Sequence, residues 1–233
     1  MTTSPFAINA SLFKTLPYDP VTSFDPVILV ATGALALTVH PSLPVKTTTE
    51  FIAYAKARPG ELNYSSPGAG TAHHLAMELF KLQTTTDLKH VPYRGSGGAT
   101  QDLVGGHVSA GFQTVHVALP LGQAGQLRLL GIARLERVPA AAHVPTLHSE
   151  GVTGFDVPLW YGIFTPAGTP EDIVARYNTT LNEILRSSRV TETLAKQGLV
   201  SVGGAAAALS ALIKSERAKW EKVVTEAGIA KVE

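Results

Sequence analysis

The chain has 233 residues, 45% of them hydrophobic and 16% charged, with Lys+Arg 19 against Asp+Glu 18 and no cysteine. This is enough apolar material for one large or two small α/β domains, while a formal charge of +1 without a basic run gives no electrostatic case for nucleic acid. The absence of cysteine excludes disulfides, thiolate metal sites and cysteine nucleophiles, and no apolar run reaches the ~18 residues that a membrane-spanning helix needs.

In chain order, the spacing predicts a short helical turn from Ser4 to Phe13, followed by Leu16-Pro17-Tyr18-Asp19-Pro20, where each proline keeps its predecessor extended. Val27 to Ala31 and Leu35 to His40 are apolar runs interrupted at Thr32-Gly33, which read as two short strands or one bent one. Thr47 to Ala57 is a helix capped by Thr47 to Thr49, with Glu50 in its first turn and Arg58-Pro59-Gly60 at its end. One unit then repeats: a strand at Leu62 to Ser65 with a helix over 71–82, a strand at Leu88 to Val91 with a helix at Ala99 to Val104, and a strand at Val108 to Phe112 with a helix near 116–124. A further strand runs from Leu127 to Ala133. This alternation predicts βαβ crossovers and a parallel sheet with helices on both faces. Ligands of such sheets sit beyond the carboxyl ends of the strands, so the loops 65–71, 92–98 and 113–115 are expected to line one cleft.

Past Pro139 to Pro145 the composition loosens, and Gly151, Gly154 and Pro158 lead into a strand from Leu159 to Thr165. Thr169 as N-cap, Pro170 as first helical residue and Glu171-Asp172 in the first turn start a helix with Ile173, Tyr177, Leu181, Ile184 and Leu185 on one face. Val190 to Gln197 is a shorter helix closed by Gly198. Leu209, Leu212, Ile213, Trp220, Val223 and Val224 form the buried stripe of a last helix that Gly228 ends. No strand follows these helices, so they must pack on sheet from elsewhere in the chain.

The stretch that carries chemistry is Asn63-Tyr64-Ser65-Ser66-Pro67-Gly68-Ala69-Gly70-Thr71-Ala72-His73-His74-Leu75, which reads as strand end, small-residue loop and helix start. Free N–H groups at the helix start, with the hydroxyls of Ser65, Ser66 and Thr71, suit a carboxylate or phosphate; a tight turn with an ordinary N-cap fits the same residues. Arg94-Gly95-Ser96-Gly97-Gly98 is either a second anion-binding turn or a plain βα turn with Arg94 solvated or paired to Asp102. His73 and His74 point about 100° apart on a helix and cannot chelate one metal, and the histidines at 40, 90, 107, 116, 143 and 148 show no ligand spacing with an acidic partner, most of them being expected at the surface or in loops. No metal or cofactor is expected. There is no Gly-x-Ser-x-Gly elbow, no third glycine after Gly68-x-Gly70 and no Gly-Lys-Ser/Thr, so neither nucleophilic catalysis nor nucleotide binding is supported.

Five stretches in order, INASLFKTLPYDPVTSFDPV, HPSLPVKTTTEFIAYAKARPGELNYSSPGAGTAHHLAMELF, VPYRGSGGATQDLVGGHVSAGF, VPTLHSEGVTGFDVPLWYGIFTPAGTP and the C-terminal helices, resemble the Bug family of solute-binding proteins, the TctC-like extracytoplasmic receptors of tripartite tricarboxylate transporters. The resemblance implies a periplasmic-binding-protein fold of the second type, α/β, with two lobes joined by two crossover strands. Lobe one would be 1–33 with 163–233, and lobe two 34–162. It further implies a non-enzymatic monomer of the periplasm that captures a mono-, di- or tricarboxylate, aromatic ones included, for membrane permease subunits. The carboxylate would be held by Ser65, Ser66, Gly68, Ala69, Gly70, Thr71 and His74, partly through ordered water. Phe112, Gln113 and Thr114 would discriminate the rest of the ligand, and Trp160 or Tyr161 would wall the cleft. Competing readings are a receptor that presents its ligand to a sensor kinase, and an anion-handling enzyme on the same fold, for which the mapped loops offer no lysine.

Two departures from the family pattern stand out. Gln113 occupies a position where an acidic residue is common, which is expected to disfavour cationic ligands. The opening MTTSPFAINASLF has neither a signal peptide nor the first βα unit with its Pro-Gly-Gly loop. The resemblance therefore implies an incomplete lobe one, from a truncated gene, a misplaced start at Met1 or an excised piece, with impaired packing and weak or absent binding.

Overall fold

A computed structural model of the protein describes residues 1–229 and 231. In chain order the elements are β1 (Thr2–Thr3), α1 (Pro5–Leu12), β2 (Phe24–Val39), α2 (Thr48–Lys56), β3 (Asn63–Ser66), α3 (Ala72–Thr84), β4 (Lys89–Pro92), α4 (Ser96–Val104), β5 (Ala110–Thr114) and α5 (Val115–Gln123). There follow β6 (Arg128–Ile132), β7 (Pro158–Pro166), α6 (Glu171–Arg186), α7 (Ser188–Lys196), β8 (Val200–Ser201) and α8 (Ala206–Glu226). Two compact units result, Met1–Gly33 with Leu159–Glu233, and Ala34–Pro158.

In the unit Ala34–Pro158, the end of β2 lies between β5 and β6, and the order continues from β5 to β3 and β4. β3 pairs in parallel with both β4 and β5. The expected all-parallel sheet is corrected at β2, which is antiparallel to both of its neighbours. Hydrophobic periodicity is the same whichever way a strand runs, and direction is set by the connection. Thr32-Gly33 does not interrupt the strand: β2 is continuous over 16 residues and buried at every position from Ala34 to Val39, as a central strand covered on both faces must be. Thr38 Oγ1 adds a 2.7 Å bond to Gly111 O across the β2–β5 pair.

One core cluster joins Ala34, Ala36, Val115, Ala118, Ile132, Ala141 and Val144, and another Leu103, Val108 and Leu127. On the α3 side Phe112 stacks on Phe155 at 5.9 Å, and Phe155 meets Phe80 edge-on. Local signals set the helix starts here. Thr47 accepts from Glu50 N at 3.1 Å and Thr71 from His74 N at 3.4 Å, each satisfying an orphan donor of the first turn.

The other unit is built on β1, β7, β2 and β8, in that order. The C-terminal helices do pack on sheet from elsewhere in the chain. Trp160 of β7 is buried with Ala7, Leu209 and Ile213, while Val27, Ile28 and Leu185 receive Val174, Leu181, Val190 and Leu194. Three details depart from the sequence reading. β8, a two-residue strand antiparallel to β2, follows α7 where no strand is expected. α6 takes Pro170 rather than Thr169 as its N-cap, and Thr169 Oγ1 instead bonds Pro166 O at 2.7 Å. Of the stripe read on α6, Leu185 is buried but Ile173, Tyr177 and Ile184 are 41%, 55% and 47% exposed. A periodic stripe reports what a helix could bury, and the neighbouring elements decide how much of it is covered.

Candidate functional site

The small-residue loop joins the end of β3 to α3, a 13-residue helix with no acidic side chain in its first turn. Two glycines shape it. Gly68 has φ 143° and Gly70 φ 80°, values that side chains with a Cβ rarely adopt, and a Cβ on Gly68 would sit 3.3 Å from Tyr93 O. That approach fixes the loop to its neighbour: Tyr93 N donates to Ser66 O and Gly95 N to Pro67 O, both at 2.9 Å. At the third expected loop, Thr100 Oγ1 of α4 donates to Gln113 Oε1 at 3.0 Å. The loops 65–71 and 92–98 are thus bonded to each other at the carboxyl ends of β3 and β4, and Gln113 at the end of β5 is bonded to the helix that follows the second of them.

Many of the polar groups expected to face a ligand already have partners inside the loop. Thr71 Oγ1 donates to Gly68 O at 2.8 Å. Ser66 Oγ lies 3.1 Å from Gly68 O, accepts from Gly68 N at 3.2 Å and meets His90 Nε2 at 2.7 Å. Gly70 N donates to His74 Nδ1 at 3.2 Å. What remains are the N–H groups of Ala69, Ala72 and His73, which have no acceptor among the described residues. Ala72 and His73 supply the first two N–H groups of α3, positions at which no intrahelical bond is possible.

Strand alternation splits the other predicted residues between the two faces of the sheet. Ser66, Tyr64, His90 and Phe112 lie on the α3 side. Phe112 is 1% exposed and held in the core by Phe155. Ser65 and Gln113 lie on the α4 side, where Ser65 Oγ is buried without a partner and a Cβ on Gly111 would come within 2.9 Å of it. Removing an unpaired buried hydroxyl loses no hydrogen bond, so Ser65→Ala is expected to leave stability unchanged or raise it by up to about 1 kcal/mol in urea unfolding. Gln113 is buried and Thr114 half-buried at the start of α5. In the other unit, Trp160 is wholly buried with its Nε1 unpartnered, and Tyr161 is half-buried opposite Thr3 of β1. Arg94 is exposed, and burial, helped by the 2.6 Å bond that Tyr93 Oη donates to Asp102, pushes the Tyr93 phenol up to about 12.

Sequence reasoning passed over His90. The histidines at 107, 116, 143 and 148 are exposed as expected, but His90 stacks on His74 with ring centroids 4.1 Å apart and on Tyr64 at 4.8 Å. The only signal was positional: two residues on adjacent parallel strands, Tyr64 and His90, paired in register below a helix that carries His74. Tyr64 Oη donates to Glu78 Oε1 at 2.5 Å, and Glu78 also takes Lys81 Nζ at 2.9 Å. Burial lowers His74, with the Lys81 charge adding to it and Glu78 opposing. Burial also brings His90 down to about 4, helped by His74 and Lys81, and by itself brings His73 down to about 4. All three imidazoles are neutral at pH 7. Among the described residues no group of three or more His, Cys, Asp or Glu is placed to hold a metal ion, and no helix is long and apolar enough to cross a membrane.

Residues 1–229 match the profile of the tripartite tricarboxylate transporter family receptor. BugT of Bordetella pertussis is 34% identical over 97% of this chain and 69% of its own length. A UPF0065 protein of a Pseudomonas strain, from the tcbD-tcbE intergenic region, is 36% identical over 94% of this chain and 66% of its own. The chain thus spans about two thirds of the length of these relatives. Among solved structures, R. palustris Rpa4515 with adipate has a TM-score of 0.88 at 36% identity, covering 99% of this chain and 78% of that one. MatC from Rhodopseudomonas palustris with bound malate has a TM-score of 0.83 at 31% identity, covering 95% and 77%. The periplasmic binding protein BugD has a TM-score of 0.86 at 26% identity, covering 99% and 78%.

Proposed function

We propose, from the premise that the chain belongs to the tripartite tricarboxylate transporter family of receptors, that it is a solute-binding receptor of the periplasm that captures a small carboxylate and delivers it to membrane permease subunits. The family is one of receptors, not enzymes, and its fold is that of type II periplasmic binding proteins. The adipate and malate held by two similar proteins support a dicarboxylate as the ligand.

One observation carries the reading: three backbone N–H groups, of Ala69 in the loop and of Ala72 and His73 in the first turn of α3, lack acceptors among the described residues at the positive end of a 13-residue helix. A carboxylate offers two oxygens with four lone pairs and no donor, so it satisfies these groups without a competing proton. Gly68 and Gly70 keep the loop open to a close approach, and Thr71 fixes its exit into the helix. Three charge-assisted bonds at about 1.5–3 kcal/mol each, set against about 4 kcal/mol or more of freedom lost on association, leave at best about 5 kcal/mol, so these donors alone hold a carboxylate no more tightly than about the millimolar range. Gln113 and Thr114, at the end of β5, would meet the remainder of the ligand, and the neutral amide offers no charge to an amino group.

The test is amide NMR of the 233-residue chain titrated with adipate, malate, succinate, aspartate and a diamine, to tens of millimolar. Saturable shifts of the Ala69, Ala72 and His73 amides with the dicarboxylates are expected, with succinate ahead of aspartate. No saturable response to any carboxylate, or an equal response to the diamine, would overturn the reading.

A further inference from the structure

Behind the anion-binding loop, His74 of α3 and His90 of β4 lie face to face, 4.1 Å apart at an interplanar angle of 16°. We propose that these two residues are a neutral positioning pair, which holds the Ser66–Thr71 loop in its anion-accepting shape and releases it when protonated. Its consequence for ligands rests on the carboxylate reading above; its consequence for the loop does not.

Each histidine grips a different part of the loop. His74 Nδ1 accepts the Gly70 N–H at 3.2 Å. A ring nitrogen can accept only while it carries no proton, so this bond selects the tautomer of His74 with hydrogen on Nε2. A proton on Nδ1 would set two donors against each other, and Gly70, at φ 80°, would have to turn its N–H away. Because Gly70 lies between Ala69 and Ala72, the free N–H groups on either side would move with it. Ser66 Oγ donates to Gly68 O at 3.1 Å and takes the Gly68 N–H at 3.2 Å, so with its one proton committed it accepts from His90 Nε2 at 2.7 Å. The two rings therefore fasten the entry and the exit of the turn, and their stacking ties one fastening to the other.

The surroundings favour the uncharged pair. His74 is 5% exposed. The groups facing it are Glu78 and Lys81 on α3, Tyr64 on β3 and His90 on β4, with His73 next in sequence. Glu78 is the one acid among them, and it is engaged by Tyr64 Oη at 2.5 Å and by Lys81 Nζ at 2.9 and 3.1 Å. Lys81 also lies 5.9 Å over the Tyr64 ring, a cation close to the stack. Burial and this cation hold both imidazoles below their ordinary range, His90 at about 4.

The experiment needs the wild-type chain and four variants. Asn places its Oδ1 where His has Nδ1, and Gln reaches the position of Nε2. His74→Asn therefore keeps the acceptor for Gly70 and His90→Gln keeps a donor for Ser66 Oγ, while His74→Leu and His90→Leu remove them. Nitrogen chemical shifts of the wild-type imidazoles at pH 7 should show His74 protonated on Nε2 alone. Gly70 amide exchange should accelerate about tenfold in His74→Leu, as expected for one lost hydrogen bond, and should be largely restored in His74→Asn. Adipate binding at pH 7 should weaken about tenfold in both Leu variants and recover most of its strength in His74→Asn and His90→Gln. An Nδ1–H tautomer of His74, or equal Gly70 exchange in the wild type, His74→Leu and His74→Asn, would overturn the proposal, and the tautomer measurement decides even if a variant does not fold. If the wild-type chain takes up no carboxylate, the receptor reading fails, while tautomer and exchange still decide the role of the pair.

Discussion

Ala72→Pro is expected to weaken carboxylate binding by about ten- to a hundredfold at a stability cost of up to about 3 kcal/mol, because Ala72 is 3% exposed and the ring carbons must be fitted into its packing. The substitution deletes one N–H at the first position of α3, where the group has no protein acceptor and proline's fixed φ suits the helix. Proline also constrains the residue before it, and Thr71 already has φ −74° and ψ 157°, inside the region that a following proline allows. The Thr71 cap to His74 N is untouched, because it uses a different donor. The ligand therefore loses one charge-assisted bond and the helix none. Ala72→Ser, which keeps the N–H, is the control. Calorimetry with adipate, beside urea unfolding of each variant, separates the two effects. Unchanged affinity in a folded Ala72→Pro variant would remove the Ala72 N–H from the site. Ala69→Asp offers a second route, since a carboxylate on the exposed Ala69 would occupy the same donors and repel a second anion.

What was legible in the sequence was whatever has a local cause. Thr47 and Thr71 announce their helices because an N-cap acts within one turn, and Gly68 and Gly70 announce a turn because their backbone angles exclude other residues. The direction of β2 was not legible, since apolar alternation is blind to it and the pairing partners lie some seventy residues or more away, Leu35 with Thr114 among them. The stripe on α6 was read correctly as apolar, yet no local signal tells that Tyr177 stays exposed while Leu185 is covered. In the site, composition identified the loop but not which donors are free. Thr71 and Ser66 look available by residue type and are occupied by Gly68, whereas Ala69 and Ala72, with no polar side chain at all, carry unpaired N–H groups. His90 illustrates the same limit: its partners are Tyr64, 26 residues back and adjacent only by strand pairing, and His74 on a helix packed above.

Lowering the pH from 7 to 4 is expected to destabilise the unit Ala34–Pro158 by about 2–5 kcal/mol, a large part of the 5–15 kcal/mol that typically holds a domain together. The cause is a set of histidines that fold in the neutral form. His73 and His90 titrate near 4 in the folded protein, and His74 is also lowered, against an ordinary value of 6.5. Between about pH 6.5 and 4 the unfolded chain binds these protons and the folded one does not, so stability rises with pH across that window. The contribution is complete above the unfolded value and is lost as the pH falls toward 4. Each tenfold loss of proton affinity on folding corresponds to about 1.36 kcal/mol, so a histidine carried fully from 6.5 to about 4 would give roughly 3 kcal/mol. His73 and His90 are only half-buried, and screening reduces the sum for the pair to the range given. Asp19, whose carboxyl is lowered first by the Val21 N–H and then by the Thr22 N–H and Arg217, starts from 3.8 and acts below this window. It lies in the other unit, as do both tryptophans, Trp160 and Trp220. Tryptophan fluorescence should therefore report a urea midpoint that moves little between pH 7 and 4.5, while exchange of the α3 and β4 amides accelerates. His73→Gln and His90→Gln should each flatten that acceleration, because glutamine takes up no proton. Amide exchange in α3 and β4 that stays flat from pH 7 to 4.5, after correction for its intrinsic pH dependence, would show that these imidazoles are not held neutral by the fold.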